Sequence, residues 1–177
     1  MSRSTANTKD IPQIPVGFET VPSEDAEARE KLITARVGLL LKASWFGSMA
    51  IRLPLVNADA WLPTAATDGR YFYYNSKFIL MLPVKECEFL FGHEVLHNVY
   101  DHLGRGKDNS HNHQLSNIAA DFAVNRDLIE ARIGEMITTV PCLYDRKYNG
   151  KSYEEIYDDL YENIEKIDID SLIDMML

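Results

Sequence analysis

Five residues constrain this chain more than any others: His93-Glu94-Val95-Leu96-His97. An α-helix turns about 100° per residue, so the two histidines stand about 40° apart, one turn above each other. Two imidazoles so placed can share one tetrahedral Zn²⁺ without distorting the backbone. Glu94 falls on the edge of the same face, where it can take a proton from a metal-activated water without being a ligand. Leu96, Val99 and Leu103 form a separate stripe expected to anchor the helix in a core. The competing reading is a pair of satisfied surface histidines. The apolar run Phe89-Leu90-Phe91, leading straight into His93, weighs against it.

Two histidines do not complete a zinc site; a third protein ligand is needed, with the fourth position left open. His102 lies about 180° round a continuous helix from His93 and faces away. Asp101, about 80° from His93 and one turn beyond His97, is placed to hydrogen-bond a ligand imidazole. His111 and His113 fall in a polar loop, where exposure is expected. Asp121 is the strongest candidate. It sits in Asn117-Ile-Ala-Ala-Asp121-Phe-Ala-Val-Asn125, where Asn117, Asp121 and Asn125 share a helical face at i, i+4 and i+8. Ala119, Ala120 and Ala123 are small, so this helix can approach another closely. A carboxylate among such neighbours needs a partner: a cation, or a buried hydrogen bond or salt bridge. The expected set is therefore His93, His97 and Asp121 around Zn²⁺, with Glu94 as the base.

At 177 residues the chain fits one domain with a sizeable core. Its formal charge of −9 argues against a nucleic-acid groove or an anionic membrane surface. No apolar run approaches the length needed to span a bilayer. The basic residues near Met1 have no hydrophobic stretch behind them, so no secretory signal is expected and the location expected is cytoplasmic. Cys87 and Cys142 have neither paired nor metal-type spacing and are expected as reduced thiols.

Three segments are expected: an extended arm over 1–22, a folded domain over 23–166, and an acidic tail over 167–177. Ser23 caps a helix reaching about Ser44, with Ile33, Val37, Leu40 and Leu41 on its core face and Gly47 as the stop. Met49 to Val56 alternates like a strand, Asn57 to Thr67 reads as a loop, and Trp61 is expected in the core. Asp68-Gly69 turns into a strand at Arg70–Tyr74, whose position before the motif helix suits it to lend an edge to an extended substrate. Asn75–Leu82 is a short helical piece, and Pro83 opens the motif helix, which should stop near Leu103-Gly104. A second helix runs from about Gln114 to Glu130, with Ile118, Phe122 and Leu128 in its core. Ser152-Tyr-Glu-Glu155 is a capping box for a last helix through about Ile164. The arm and the acidic tail are the places where a protein partner is expected.

Thr67-Asp-Gly-Arg70, Tyr74-Asn75, Gly92-His-Glu-Val-Leu-His97 with His102, and Asn117-Ile-Ala-Ala-Asp121-x-x-x-Asn125 together resemble one family. It is the metallopeptidase domain often found upstream of a von Willebrand factor A-like domain in bacteria and phages. Ser152-Tyr-Glu-Glu-Ile-Tyr157 resembles its closing helix, and the likeness spans about 37–160. The resemblance implies a compact zincin-like α+β fold, with a small sheet packed on the motif helix and a second ligand-bearing helix. It implies His93 and His97 as ligands, Glu94 as catalytic glutamate and Asp121 as third ligand. His102 also matches a motif position, and its helical phase favours a role behind the ligands.

The expected function is a zinc-dependent metallopeptidase acting on a peptide or protein substrate. For the oxyanion donor, Tyr144, Arg146, Tyr148 and Tyr153 are unranked candidates. The second reading is a catalytically silent, zinc-stabilised interaction or assembly module, prompted by the arm and tail. Glu94 favours the enzyme, since a purely structural site has no use for a base beside an open position.

Overall fold

The computed structural model describes residues 12–102 and 112–176. The expected stop at Leu103-Gly104, the Leu103 part of the anchoring stripe, His111, and the side chains of Asp101 and His102 lie outside the described residues. The fold is α+β, with seven α-helices and one three-stranded sheet among the described residues.

Helix α1 spans Pro22–Lys42. Pro22 suits the first turn because its fixed φ is already helical, and Glu24 and Asp25 complement the positive end of the helix. The N-cap is Val21, not Ser23. The face expected in the core is also wrong. Ile33, Val37, Leu40 and Leu41 are exposed, Leu41 by 80%, whereas Ala28, Leu32, Ala35 and Leu39 are buried. The inward face is the one with small residues, because neighbouring elements come too close for large ones. At Gly38 a Cβ would lie 2.3 Å from Glu88 Oε1.

Gly47 does not stop a helix either; it lies inside α2, Ser44–Ile51, which follows a break at Ala43. A Cβ on Gly47 would sit 2.3 Å from Leu40 Cα, so the glycine lets α2 fold back onto α1. The predicted Met49–Val56 strand shrinks accordingly to β1, Leu55–Asn57. Part of the expected loop forms β2, Ala65–Thr67, and β3 covers Phe72–Tyr74. The sheet order is β1-β3-β2, with β1 parallel and β2 antiparallel to β3. Strand β3 is thus central and has no free edge to lend; β2 is the edge strand. Trp61 is 58% exposed rather than core, its ring edge-on to Tyr73 at 5.5 Å.

Asn75 caps α3, Ser76–Met81, by accepting from Phe78 N. The motif helix α4 runs Val84–His102, and α5 runs His113–Glu130 with Ile118, Phe122 and Leu128 buried as expected. A 3₁₀ turn at Arg146–Tyr148 leads to α6, Tyr153–Glu162, opened by the expected Ser152/Glu155 capping box. A second 3₁₀ turn at Ile164–Lys166 and α7, Ile169–Ile173, complete the chain. No helix among the described residues is long and apolar enough to cross a membrane.

Two hydrophobic clusters hold these elements. The larger joins α1 to α4, the sheet, and Val124 and Leu128 of α5. The smaller joins the rest of α5 to Leu143, Tyr148 and α6, with Ile167, Ile169, Leu172, Ile173 and Met176 laid against it. Asp168, Asp170 and Asp174 stay exposed beside them. At the other end, Pro15 O accepts from Asn75 Nδ2 at 2.9 Å and Gly17 N donates to Asp59 O at 2.7 Å, pinning residues ahead of α1 to the sheet side.

A buried polar knot orders that side. Asp59 accepts from Ser76 N and Oγ, Thr20 Oγ1 and Asn57 Nδ2, and Asn57 Nδ2 also reaches Asp25 at 2.8 Å. Burial pushes the Asp59 pKa up, but these donors outweigh it and the carboxyl ends below its ordinary value.

Candidate metal centre

Helix α4 is fixed under the sheet by Phe91, whose ring centroid lies 4.4 Å from that of Phe72. Its neighbour Gly92 admits α5: a Cβ there would lie 2.7 Å from Leu128 Cδ2 and 2.9 Å from Ile133 Cγ2. That close approach brings Asp121 to the histidines. The stripe that anchors α4 is Phe89, Leu90, Phe91 and Val95, with Leu96 also buried; Val99 is only partly so.

His93, His97 and Asp121 converge, with one ligand atom from each lying within 4.8 Å of the others. His97 Nε2 is 3.0 Å from His93 Nε2 and 2.7 Å from Asp121 Oδ1, and His93 Nε2 is 3.6 Å from the same oxygen. His93 is fully buried and Asp121 nearly so. The second carboxylate oxygen, Asp121 Oδ2, is buried with no hydrogen-bond partner among the described residues. An orphaned acceptor in such a place is costly unless something positive meets it. Two imidazole nitrogens and a carboxylate are a donor set that binds Zn²⁺, and the three separations bracket the edge of about 3.3 Å of a tetrahedron with bonds of about 2.0–2.1 Å. The residues present fit a divalent cation.

Glu94 is 5% exposed beside this cluster. Burial pushes its carboxyl up to about 8, with His97 pulling it down and Asp121 pushing it further up. Burial also pushes His93 down to about 4, His97 adding to the effect while Asp121 and Asn125 oppose it. Asn125, at the end of the face shared with Asp121, reaches His93 Nδ1 with its Oδ1 at 2.7 Å. His113, the first residue of α5, is exposed and within 3.1 Å of Asn117, away from the cluster.

Over residues 27–169 the chain matches a family described as "Putative metallopeptidase domain". The chain belongs to that family. Neither the curated proteins nor the solved structures yield a match. The family match encloses all four residues of the cluster and its base.

In this metallopeptidase-family domain the cluster opens into a cleft of about 300 Å³. Glu94, His97 and Asp121 form its floor, and β2 forms one wall. Asn75 N donates to Thr64 O at 2.8 Å and Ala66 lies opposite Tyr73. Hydrogen-bonded pairs alternate in an antiparallel ladder, so Ala66 spends its main-chain groups on β3. Those of Ala65 and Thr67 point the other way, along the free edge.

Ser116, Asn117 and Tyr153 form the opposite wall, and Met176 from the tail closes one corner. Of the four oxyanion candidates only Tyr153 reaches the cleft, where its hydroxyl shares a hydrogen bond with Ser116 Oγ. Tyr148 is buried and donates to Asp159 at 2.8 Å, and Arg146 is exposed on its 3₁₀ turn. Sequence reasoning did not single out Ser116 or Met176. Ser116 carries a faint signal, lying next to Asn117 on the ligand helix; Met176 carries none.

Proposed function

We infer that this chain is a zinc-dependent peptidase that cleaves extended peptide segments. The observation that carries this reading is Glu94, a buried carboxylate facing a cleft beside two imidazoles and a carboxylate whose Oδ2 has no other partner. Zn²⁺ held by His93, His97 and Asp121 supplies Lewis acidity, which lowers the pKa of water and polarises a carbonyl. Glu94 takes the proton of the attacking water and passes it to the departing amide nitrogen. The main-chain groups of Ala65 and Thr67 pair with the substrate backbone, which favours an unfolded stretch over a compact surface. The Tyr153 hydroxyl, steadied by Ser116, donates to the carbonyl oxygen as it gains charge.

A silent metal-stabilised module would give Glu94 no task, and its burial would then be an uncompensated loss. Incubating the protein with an unstructured peptide library, with and without a chelator, tests the reading. Metal-dependent cleavage that disappears in Glu94→Gln supports it. Zinc binding without turnover in any peptide overturns it in favour of the module.

A further inference from the structure

Asn125 is 1% exposed and bridges two partners that cannot exchange roles. Its Nδ2 donates to the Leu143 carbonyl at 2.9 Å. A carbonyl oxygen only accepts, so the amide cannot be turned round without setting two oxygens against each other. That orientation leaves Oδ1 facing His93 Nδ1 at 2.7 Å, a distance that requires the proton to sit on the ring nitrogen. The conclusion does not depend on whether the imidazole is neutral or charged, since Nδ1 carries a proton in both cases. In the neutral ring the lone pair then belongs to Nε2, the atom that faces His97 and Asp121.

The Leu143 carbonyl is itself held in place. The Leu143 side chain is buried in the smaller hydrophobic cluster. The next residue on α5, Arg126, donates to the carbonyls of Tyr148 and Lys151. Two consecutive side chains of α5 therefore grip the loop between α5 and α6 by three of its backbone oxygens. This anchorage explains why an amide, and not a carboxylate, stands at position 125: one side must accept from a ring N–H while the other donates to a carbonyl.

We propose that Asn125 is a positioning residue, fixed by the Leu143 carbonyl, that commits the Nε2 lone pair of His93 to the metal. The proposal rests on the metal site inferred above, but the ring state it specifies can be read without any metal or substrate. Long-range ¹H–¹⁵N spectra of histidine-labelled, metal-free protein, assigned with His93→Gln, should show His93 with a protonated Nδ1 and a bare Nε2. Asn125→Ala should lose this fixed pattern and bind Zn²⁺ about 10–100-fold more weakly in a chelator competition. Asn125→Asp keeps an acceptor for the ring N–H and should retain the pattern, with zinc affinity closer to wild type than that of Asn125→Ala. A wild-type His93 protonated on Nε2 overturns the proposal, as does a folded Asn125→Ala protein that binds Zn²⁺ as tightly as wild type. Should Asn125→Ala fail to fold, the wild-type spectrum and the Asn125→Asp affinity decide. Loss of peptide cleavage alone touches the proposed function and leaves this assignment standing.

Discussion

Asp121 approaches His97 to 2.7 Å through Oδ1 and leaves Oδ2 buried without a partner among the described residues. One oxygen is satisfied by an imidazole and its twin by nothing, so the carboxylate is built for a guest. Removing it should cost the empty protein little and the loaded protein much. At a free zinc concentration of 100 times Kd, wild type gains about 2.7 kcal/mol by mass action. Asp121→Ala should show no such gain in thermal unfolding at the same zinc concentration. With chelator present it should lie within about 1 kcal/mol of wild type, since the lost oxygen had no partner to forfeit.

Glu94→Gln keeps the shape of the cleft and removes the base. Zinc affinity should stay within a few-fold of wild type, while peptide cleavage falls by about 10²–10⁴. Parallel chelator titration and a cleavage assay on the same sample check both halves.

Asp59 makes stability depend on acid. Its folded pKa is depressed below the ordinary 3.8, so its contribution is complete above that value and is lost as pH falls through the folded one. Urea unfolding between pH 2 and pH 7 should show stability falling below about pH 4. Asp59→Asn should flatten that part of the profile while lowering stability at pH 7 by at least about 2 kcal/mol, because four donors lose a charged acceptor.

The corrected orientation of α1 is testable with two leucines two positions apart. Leu39 is buried and Leu41 is 80% exposed. Leu39→Ala should destabilise by about 2–5 kcal/mol and Leu41→Ser by no more than about 0.5 kcal/mol in denaturant unfolding.

Spacing alone exposed the two helices that matter, because four-residue intervals along a 3.6-residue turn leave little freedom about which side chains meet. His93, His97, Asp121 and Asn125 were all placed on their faces that way. The phase of α1 was not legible, since apolar residues surround the helix and the buried stripe is the one with alanines, chosen by how closely α2 and α4 come. Strand order was hidden too. Ala65-Ala66-Thr67 has little intrinsic preference for a strand, and it forms one because β3 offers it a ladder. The partner that orients Asn125 is a backbone carbonyl, which leaves no mark on a side-chain pattern. Met176 reaches the cleft only through the packing of the tail on α5 and α6, a long-range event that no local window contains.

The two hydrophobic clusters meet along α4 and α5, and the convergent ligands straddle that seam: both histidines come from α4, while Asp121 lies between Ile118 and Phe122 of the smaller cluster. A cation lodged there works as a rivet between two halves that otherwise share only a modest greasy contact. Chelation should accordingly loosen the α6 half first, with amide exchange quickening there while α1 keeps its protection. The same ion would then govern both chemistry and cohesion, so a starved molecule would lose its grip on its own substrate wall before it lost its fold.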